Sequence, residues 1–131
     1  MEYRVKSNQN TYCSFQLLLL FDWLNYVHFD AWDAVGAVPN WEIGNVSAGA
    51  STVFDSGVAL DTSYHVFRIL CHTHGSNHVH YFIDDLENEV PNSPITSNVP
   101  TEYLQPYLFI ATRQDEVSSI DADYCYLRQG R

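Results

Sequence analysis

The strongest constraint on this chain is a two-residue repeat in hydrophobicity. Between positions 64 and 84, Phe67, Ile69 and Cys71 fall on alternate positions, and so do Val79, Tyr81 and Ile83. In an extended chain alternate side chains share one face, so each run has one apolar and one polar side. Elsewhere the apolar residues alternate or come in short blocks between Asn, Ser, Gly, Pro and Asp clusters, with no sustained helical period. These runs predict strands over 2–6, 12–20, 26–32, 40–45, 51–55, 64–72, 78–84, 107–113 and 120–128. Short strands with one apolar face each are satisfied when two antiparallel sheets pack face to face. The expected fold is therefore an all-β, antiparallel two-sheet β-sandwich. A length of 131 residues suits a single domain over 1–131, and no repeat or linker divides it.

The best-defined unit is the pair of runs joined at Gly75, Ser76 and Asn77. A three-residue loop sets His74 opposite His78, His72 opposite His80, Leu70 opposite Phe82 and Arg68 opposite Asp84. The apolar set then points into the core, and the other face carries an ion pair, an apolar pair and four histidines. Residues 87–89 read as a turn, and 91–100, rich in Pro, Asn and Ser, as a long surface loop.

Composition narrows the function. Six Lys and Arg against sixteen Asp and Glu give a formal charge of −10 and a pI near 4.7, so a nucleic-acid backbone meets net repulsion. No apolar run approaches the roughly 18 to 20 residues of a membrane-spanning helix, and the first residues lack the pattern of a secretory signal. A soluble chain with no nucleic-acid or membrane partner is expected. Cys13, Cys71 and Cys125 are odd in number, widely spaced and outside any Cys-x-x-Cys pattern. They are expected to be small buried hydrophobes rather than a disulfide framework or zinc ribbon.

Four segments carry a family resemblance. Asp61-Thr62-Ser63-Tyr64-His65-Val66-Phe67-Arg68-Ile69, His78-Val79-His80-Tyr81-Phe82-Ile83-Asp84-Asp85, residues 100–111 and Ile120-Asp121-Ala122-Asp123-Tyr124-Cys125-Tyr126-Leu127 resemble, in this order, the later strands of the concanavalin A-like lectin/glucanase domain. The likeness is to its LamG-like variants in bacteriophage virion proteins. Glu2-Tyr3-Arg4-Val5 is similar to an early strand of that domain, and Asp85 stands where glycine is usual. The resemblance implies a jelly-roll sandwich. In the family one or more strands often precede that early strand. Three explanations stay open: a reduced sandwich, a chain starting inside a longer protein, or an edge completed by another subunit's strand.

Chemistry is sparse. The glucanase branch of the resembling family places three acids on alternate positions of one strand, as nucleophile and general acid/base. Asp85, Glu87 and Glu89 have that spacing but sit in a turn-like stretch, and Asp121 and Asp123 are followed by Cys125 and Leu127 with no third acid. No Gly-x-Ser-x-Gly elbow or phosphate-cradling glycine pattern occurs. No catalytic residue is assigned, and no enzyme is expected. His72, His74, His78 and His80 are candidate ligands for zinc, nickel or copper. Against this, a flat sheet face presents parallel side chains, and no carboxylate is clearly placed to orient them. Trp23, Tyr26, Asp30, Trp32 and Trp41 are candidates for stacking and hydrogen-bonding a sugar, although large aromatics also fill sandwich cores. Asp30, Asp33, Asp115 and Glu116 could offer oxygens to calcium, with no defined loop motif.

With the resemblance, the first expectation is a non-catalytic virion structural or surface protein, a capsid-decoration or tail-associated module. Its partners would be other virion proteins or copies of itself in a homo-oligomer, with cell-surface glycans as a further ligand. The alternatives are a carbohydrate-binding module or adhesin outside a virion, and a glucanase-type hydrolase.

Overall fold

The computed structural model describes residues 1–8, 13–32, 40–72, 77–112 and 119–128. Nine strands run in order: β1 Glu2–Ser7, β2 Cys13–Asp22, β3 Asn25–Trp32, β4 Asn40–Ser47, β5 Ala50–Ala59, β6 His65–His72, β7 His78–Ile83, β8 Gln105–Thr112 and β9 Ile120–Tyr126. They form a four-stranded sheet, β7-β6-β1-β9, and a five-stranded sheet, β5-β4-β3-β2-β8, with every pairing antiparallel. The fold is the expected all-β two-sheet sandwich, and no helix occurs among the described residues.

Alternation decides what each sheet buries. Tyr3, Val5, Phe67, Ile69, Val79, Tyr81 and Ile83 from one sheet meet Phe15, Leu17, Leu19, Val27, Phe29, Ala31, Trp41 and Ile43 from the other. Rings interlock at the centre: Trp41 lies 4.7 Å from Phe67, and Phe29 lies 5.0 Å from Phe67 and 5.3 Å from Tyr81, all edge-on. The Tyr81 hydroxyl reaches across the core to Asn45 Oδ1 at 2.5 Å and the Gly44 carbonyl at 2.7 Å. Asn45 Nδ2 donates in turn to the carbonyls of Ser97 at 3.1 Å and Ile95 at 3.4 Å. This buried network satisfies groups whose desolvation would otherwise cost stability, and it ties both sheets to the 91–100 loop.

The β6–β7 register departs from expectation. His72 pairs with His78, Leu70 with His80, Arg68 with Phe82 and Phe67 with Ile83, so five residues, 73–77, separate the strands rather than three. The two registers differ by one pleat period, which changes partners but leaves the same residues facing inward. Arg68 consequently pairs with Glu2 at 2.8 Å across the β1–β6 seam instead of with Asp84. Asp84, at φ 61° just past β7, joins Asp61 in holding His65: Nδ1 lies 2.7 Å from Asp84 and Nε2 3.1 Å from Asp61. Burial alone would lower the His65 pKa, but the two carboxylates outweigh it and hold the imidazole above its ordinary value.

Two cysteines also differ from expectation. Cys71 and Cys125 are free and exposed as residues, although burial of the Cys71 thiol itself pushes its pKa up to about 11. Cys125 lies on β9, an outer strand exposed along nearly all its length, where alternation finds no opposing layer to bury its inward side. The side chain of Cys13 is outside the described residues.

Candidate functional sites on the two outward faces

Each sheet also has an outward face, and the registers show what lies on it. On the five-stranded sheet, Asp55, Glu42, Asp30, Gln16 and Phe109 form one cross-strand row. Val53, Gly44, His28, Leu18 and Tyr107 form the next. Leu20 and Tyr26 pair in the row after. Trp23 comes from the β2–β3 turn, where Asp22 Oδ1 accepts the Leu24 N–H at 2.8 Å and the Asn25 amide at 3.0 Å. Its ring turns back over this face and stands edge-on to Tyr107 at 5.9 Å, Phe109 at 6.1 Å and Tyr26 at 6.3 Å. Those rings belong to β8 and β3, the strands on either side of β2, so the indole spans β2, and Leu18 beneath it is fully buried. Trp23 itself stays 55% exposed and Tyr107 44%. The result is an aromatic shelf open to solvent, bordered by the polar row.

Within that row Gln16 Nε2 donates to Asp30 Oδ2 at 2.9 Å, and Asn40 Nδ2 donates to both Asp55 oxygens at 3.0 Å. The Asn40 amide and the Gly57 N–H hold the Asp55 carboxyl below its ordinary value, opposite to what a general acid needs. His28 lies under the shelf, 5.3 Å from the Tyr26 ring. Its imidazole packs against Gly44 so closely that a Cβ there would stand 2.6 Å from Cε1, and a side chain at position 44 would displace it. His28 Nδ1 is buried without a hydrogen-bond partner, and burial pushes the His28 pKa down to about 4.

Of the residues expected to bind a sugar, the structure brings together Trp23 and Tyr26, with Asp30 two rows from Tyr26 on the same face. Trp41 is removed from that set. It is 2% exposed, on the inward side of β4 against Phe67, because its alternate neighbour Ile43 faces the core and it shares that side. The side chain of Trp32 lies outside the described residues, as do Asp33, Asp115 and Glu116 among the expected calcium ligands. Tyr107, Phe109 and His28 were not legible as site residues. Tyr107 and Phe109 reach the shelf only through the β2–β8 pairing, which joins residues some eighty positions apart, whereas His28 lies on β3 with Tyr26.

The acids read as turn or closing-strand residues are accounted for in those terms. Asp85 Oδ1 accepts the N–H groups of Glu87 at 2.9 Å and Asn88 at 3.1 Å, which closes the turn after β7. Asp121 pairs with Lys6 at 3.2 Å and Asp123 pairs with Arg4, so the acids of β9 neutralise the cations of β1.

On the four-stranded sheet, His72, His78 and His80 meet at the far end of the β6–β7 hairpin, each offering one ligand atom within 4.8 Å of the others. His72 and His78 stack at 4.7 Å with planes 11° apart, and His80 stands nearly perpendicular to both, at 5.1 and 4.8 Å. A carboxylate is also in place, contrary to expectation: Glu89 Oε1 lies 2.9 Å from His80 Nδ1. The chain after the turn doubles back along β7, where Val79 and Ile95 exchange backbone bonds of 3.0 and 2.9 Å and the Tyr81 carbonyl accepts the Val90 N–H at 3.1 Å. That return delivers Glu89 to β7, where Ser93 Oγ donates to Glu89 Oε2. His74 lies outside the described residues. No described helix is long and apolar enough to cross a membrane.

Compared with known proteins, the chain matches no family model, no curated protein and no solved structure. What it does is therefore to be read from its own two outward faces: an aromatic shelf with a polar border on one sheet, and a histidine cluster backed by a carboxylate on the other.

Proposed function

We propose that this chain is a non-catalytic sandwich module that works by binding, and that the outward face of its five-stranded sheet takes a carbohydrate. The observation that carries this reading is Trp23, held edge-on by Tyr26, Tyr107 and Phe109 and still more than half exposed. A sandwich spends large aromatics on its core, so an indole propped up on the outer surface has another use. Sugar rings stack their C–H faces on such indoles while amides and carboxylates take the hydroxyls. Gln16, Asp30, Glu42, Asp55 and Asn40 supply those groups beside the shelf. The test is a glycan array probed with the wild-type chain and with Trp23→Ala. Binding by the wild type that falls at least tenfold in the variant, with unchanged circular dichroism, is the expected result. Silence of the wild type across the array overturns the reading.

A setting on a virion, as a capsid-decoration or tail-associated protein, is the second element of the proposal and draws on the resemblance to phage jelly-roll domains. One physical observation favours assembly. β8 and β9 are outer strands of their sheets, and Tyr124, Tyr126 and Leu127 lie exposed on or just after β9. Edges of this kind, with no further strand beside them among the described residues, take up strands from copies of the same chain or from neighbours. Native mass spectrometry is expected to show a homo-oligomer that dissociates when Tyr126 is replaced by lysine. A monomer at all concentrations removes self-assembly from the proposal.

A further inference from the structure

The geometry points to a binding site for one divalent transition-metal ion on the outward face of the β6–β7 hairpin, with His72, His78 and His80 as ligands and Glu89 as the residue that orients His80. It rests on a different sheet and on different residues from the carbohydrate reading, so either can fail alone.

Three features separate this cluster from a run of solvated histidines. The first is convergence. His72 and His78 are direct cross-strand partners and His80 lies one pleat further along the same face, so the backbone itself sets the three imidazoles side by side. Their nearest ligand atoms fall within 4.8 Å of one another. Tetrahedral zinc with nitrogens at about 2.0–2.1 Å holds them about 3.4 Å apart, so closure needs side-chain rotations that shorten these separations by up to about 1.4 Å, with no change in strand register. His72, at the exposed end of β6, has the freedom to make it.

The second feature is the carboxylate. Glu89 Oε1 at 2.9 Å from His80 Nδ1 accepts the proton there, which fixes the tautomer and leaves Nε2 with a free lone pair for a metal. Glu89 is itself steadied, since Ser93 donates to its other oxygen and the Val79–Ile95 bridge pins the segment that follows. A ligand imidazole backed by a carboxylate that is in turn hydrogen-bonded is the arrangement by which proteins tune histidine–metal sites. A merely solvated hairpin has no use for it.

The third is the donor set. Neutral imidazole nitrogens without thiolates suit Zn2+, Cu2+ and Ni2+, and not the hard cations Ca2+ or Mg2+. Three protein ligands also leave a fourth position for water or for a group from a binding partner.

The experiment titrates Zn2+ alone into the wild-type chain, His72→Ala, the triple variant His72→Ala/His78→Ala/His80→Ala, and Glu89→Gln, with calorimetry as readout and far-UV circular dichroism as the check on folding. The wild type is expected to bind one equivalent, and the triple variant none. Glu89→Gln should bind 10- to 100-fold more weakly at unchanged stoichiometry, as loss of an orienting carboxylate does. His72→Ala, which changes only an exposed strand end, keeps the test decisive if the triple variant does not fold. It should weaken binding at least tenfold. Titration with Ca2+ should give no heat. Equal Zn2+ binding in the wild type and His72→Ala, or no binding to the wild type, overturns the site. Glu89→Gln equal to wild type overturns the role given to Glu89.

Discussion

Replacing Trp41 by alanine is expected to cost about 3–5 kcal/mol, the range for deleting a buried aromatic from a well-packed core. The indole is 2% exposed and meets Phe67 in the central ring cluster, so its removal leaves a cavity that the strands on either side cannot close without losing register. A domain stable by about 5–15 kcal/mol loses roughly a fifth or more of its margin in this way. The measurement is urea denaturation of the wild type, Trp41→Ala and Trp23→Ala, with midpoints compared at a common slope. Trp23→Ala is expected to cost less than about 1 kcal/mol of stability, because half of that ring already faces water. Two tryptophans read from the sequence as equivalent sugar-stacking candidates should thus separate cleanly, one by stability and the other by binding. If Trp41→Ala costs less than Trp23→Ala, their assignment to core and surface is wrong.

That separation shows what patterning can and cannot carry. Strand positions were legible because a period of two is a local property. The expected runs at 26–32, 64–72 and 78–84 overlap β3, β6 and β7 with boundary differences of one residue. Which strands adjoin is not local. Tyr107 and Phe109 sit in an expected strand, yet nothing nearby in sequence says that β8 lies beside β2 and so brings them under Trp23. His28, between Val27 and Phe29, reads as an outward polar position, which it is. Its burial comes from the shelf above it and from the missing side chain at Gly44, and both are tertiary facts.

The histidine cluster teaches the same lesson from the other side. The residues and their shared face were legible, but their partners were not, because a loop of three and a loop of five satisfy the inward apolar set equally well. Glu89 was hidden for a different reason. Its sequence neighbours make it one acid of a turn, and only the return of residues 90–95 along β7 turns it into a partner of His80. The sites are therefore less readable than the fold, since they are assembled from the contacts that periodicity leaves free.

Between pH 6.5 and 4.5 the wild type is expected to lose about 2 kcal/mol of stability, most of it from His28 alone, and His28→Leu to lose little. The sign follows from linkage. The His28 pKa is pushed from 6.5 to about 4 by burial, so in this window the unfolded chain binds a proton that the folded chain refuses. Acid then favours unfolding, to a limit of about 3 kcal/mol once the pH reaches the folded value. The other perturbed groups act elsewhere. His65 is held above 6.5, so its contribution is fully present below 6.5 and is lost only as pH rises through the raised folded value. The carboxyls held low, Glu2, Asp55, Asp61, Asp85 and Glu89, start from ordinary values of 4.5 or 3.8 and lose their contributions as pH falls further. Leucine nearly conserves the volume over Gly44 and removes a ring nitrogen that has no partner, so His28→Leu should be as stable as the wild type at pH 6.5, within about 1 kcal/mol. Urea midpoints of both chains at the two pH values decide the matter. A wild type whose stability is flat across the window, or a leucine variant that loses as much, would show that His28 is not held neutral beneath the shelf. If His28 is neutral, the outward face gains no cation at its centre as the pH falls from 6.5 towards 4.5. A ligand that stacks on Trp23 then meets no new charge from His28 across that range.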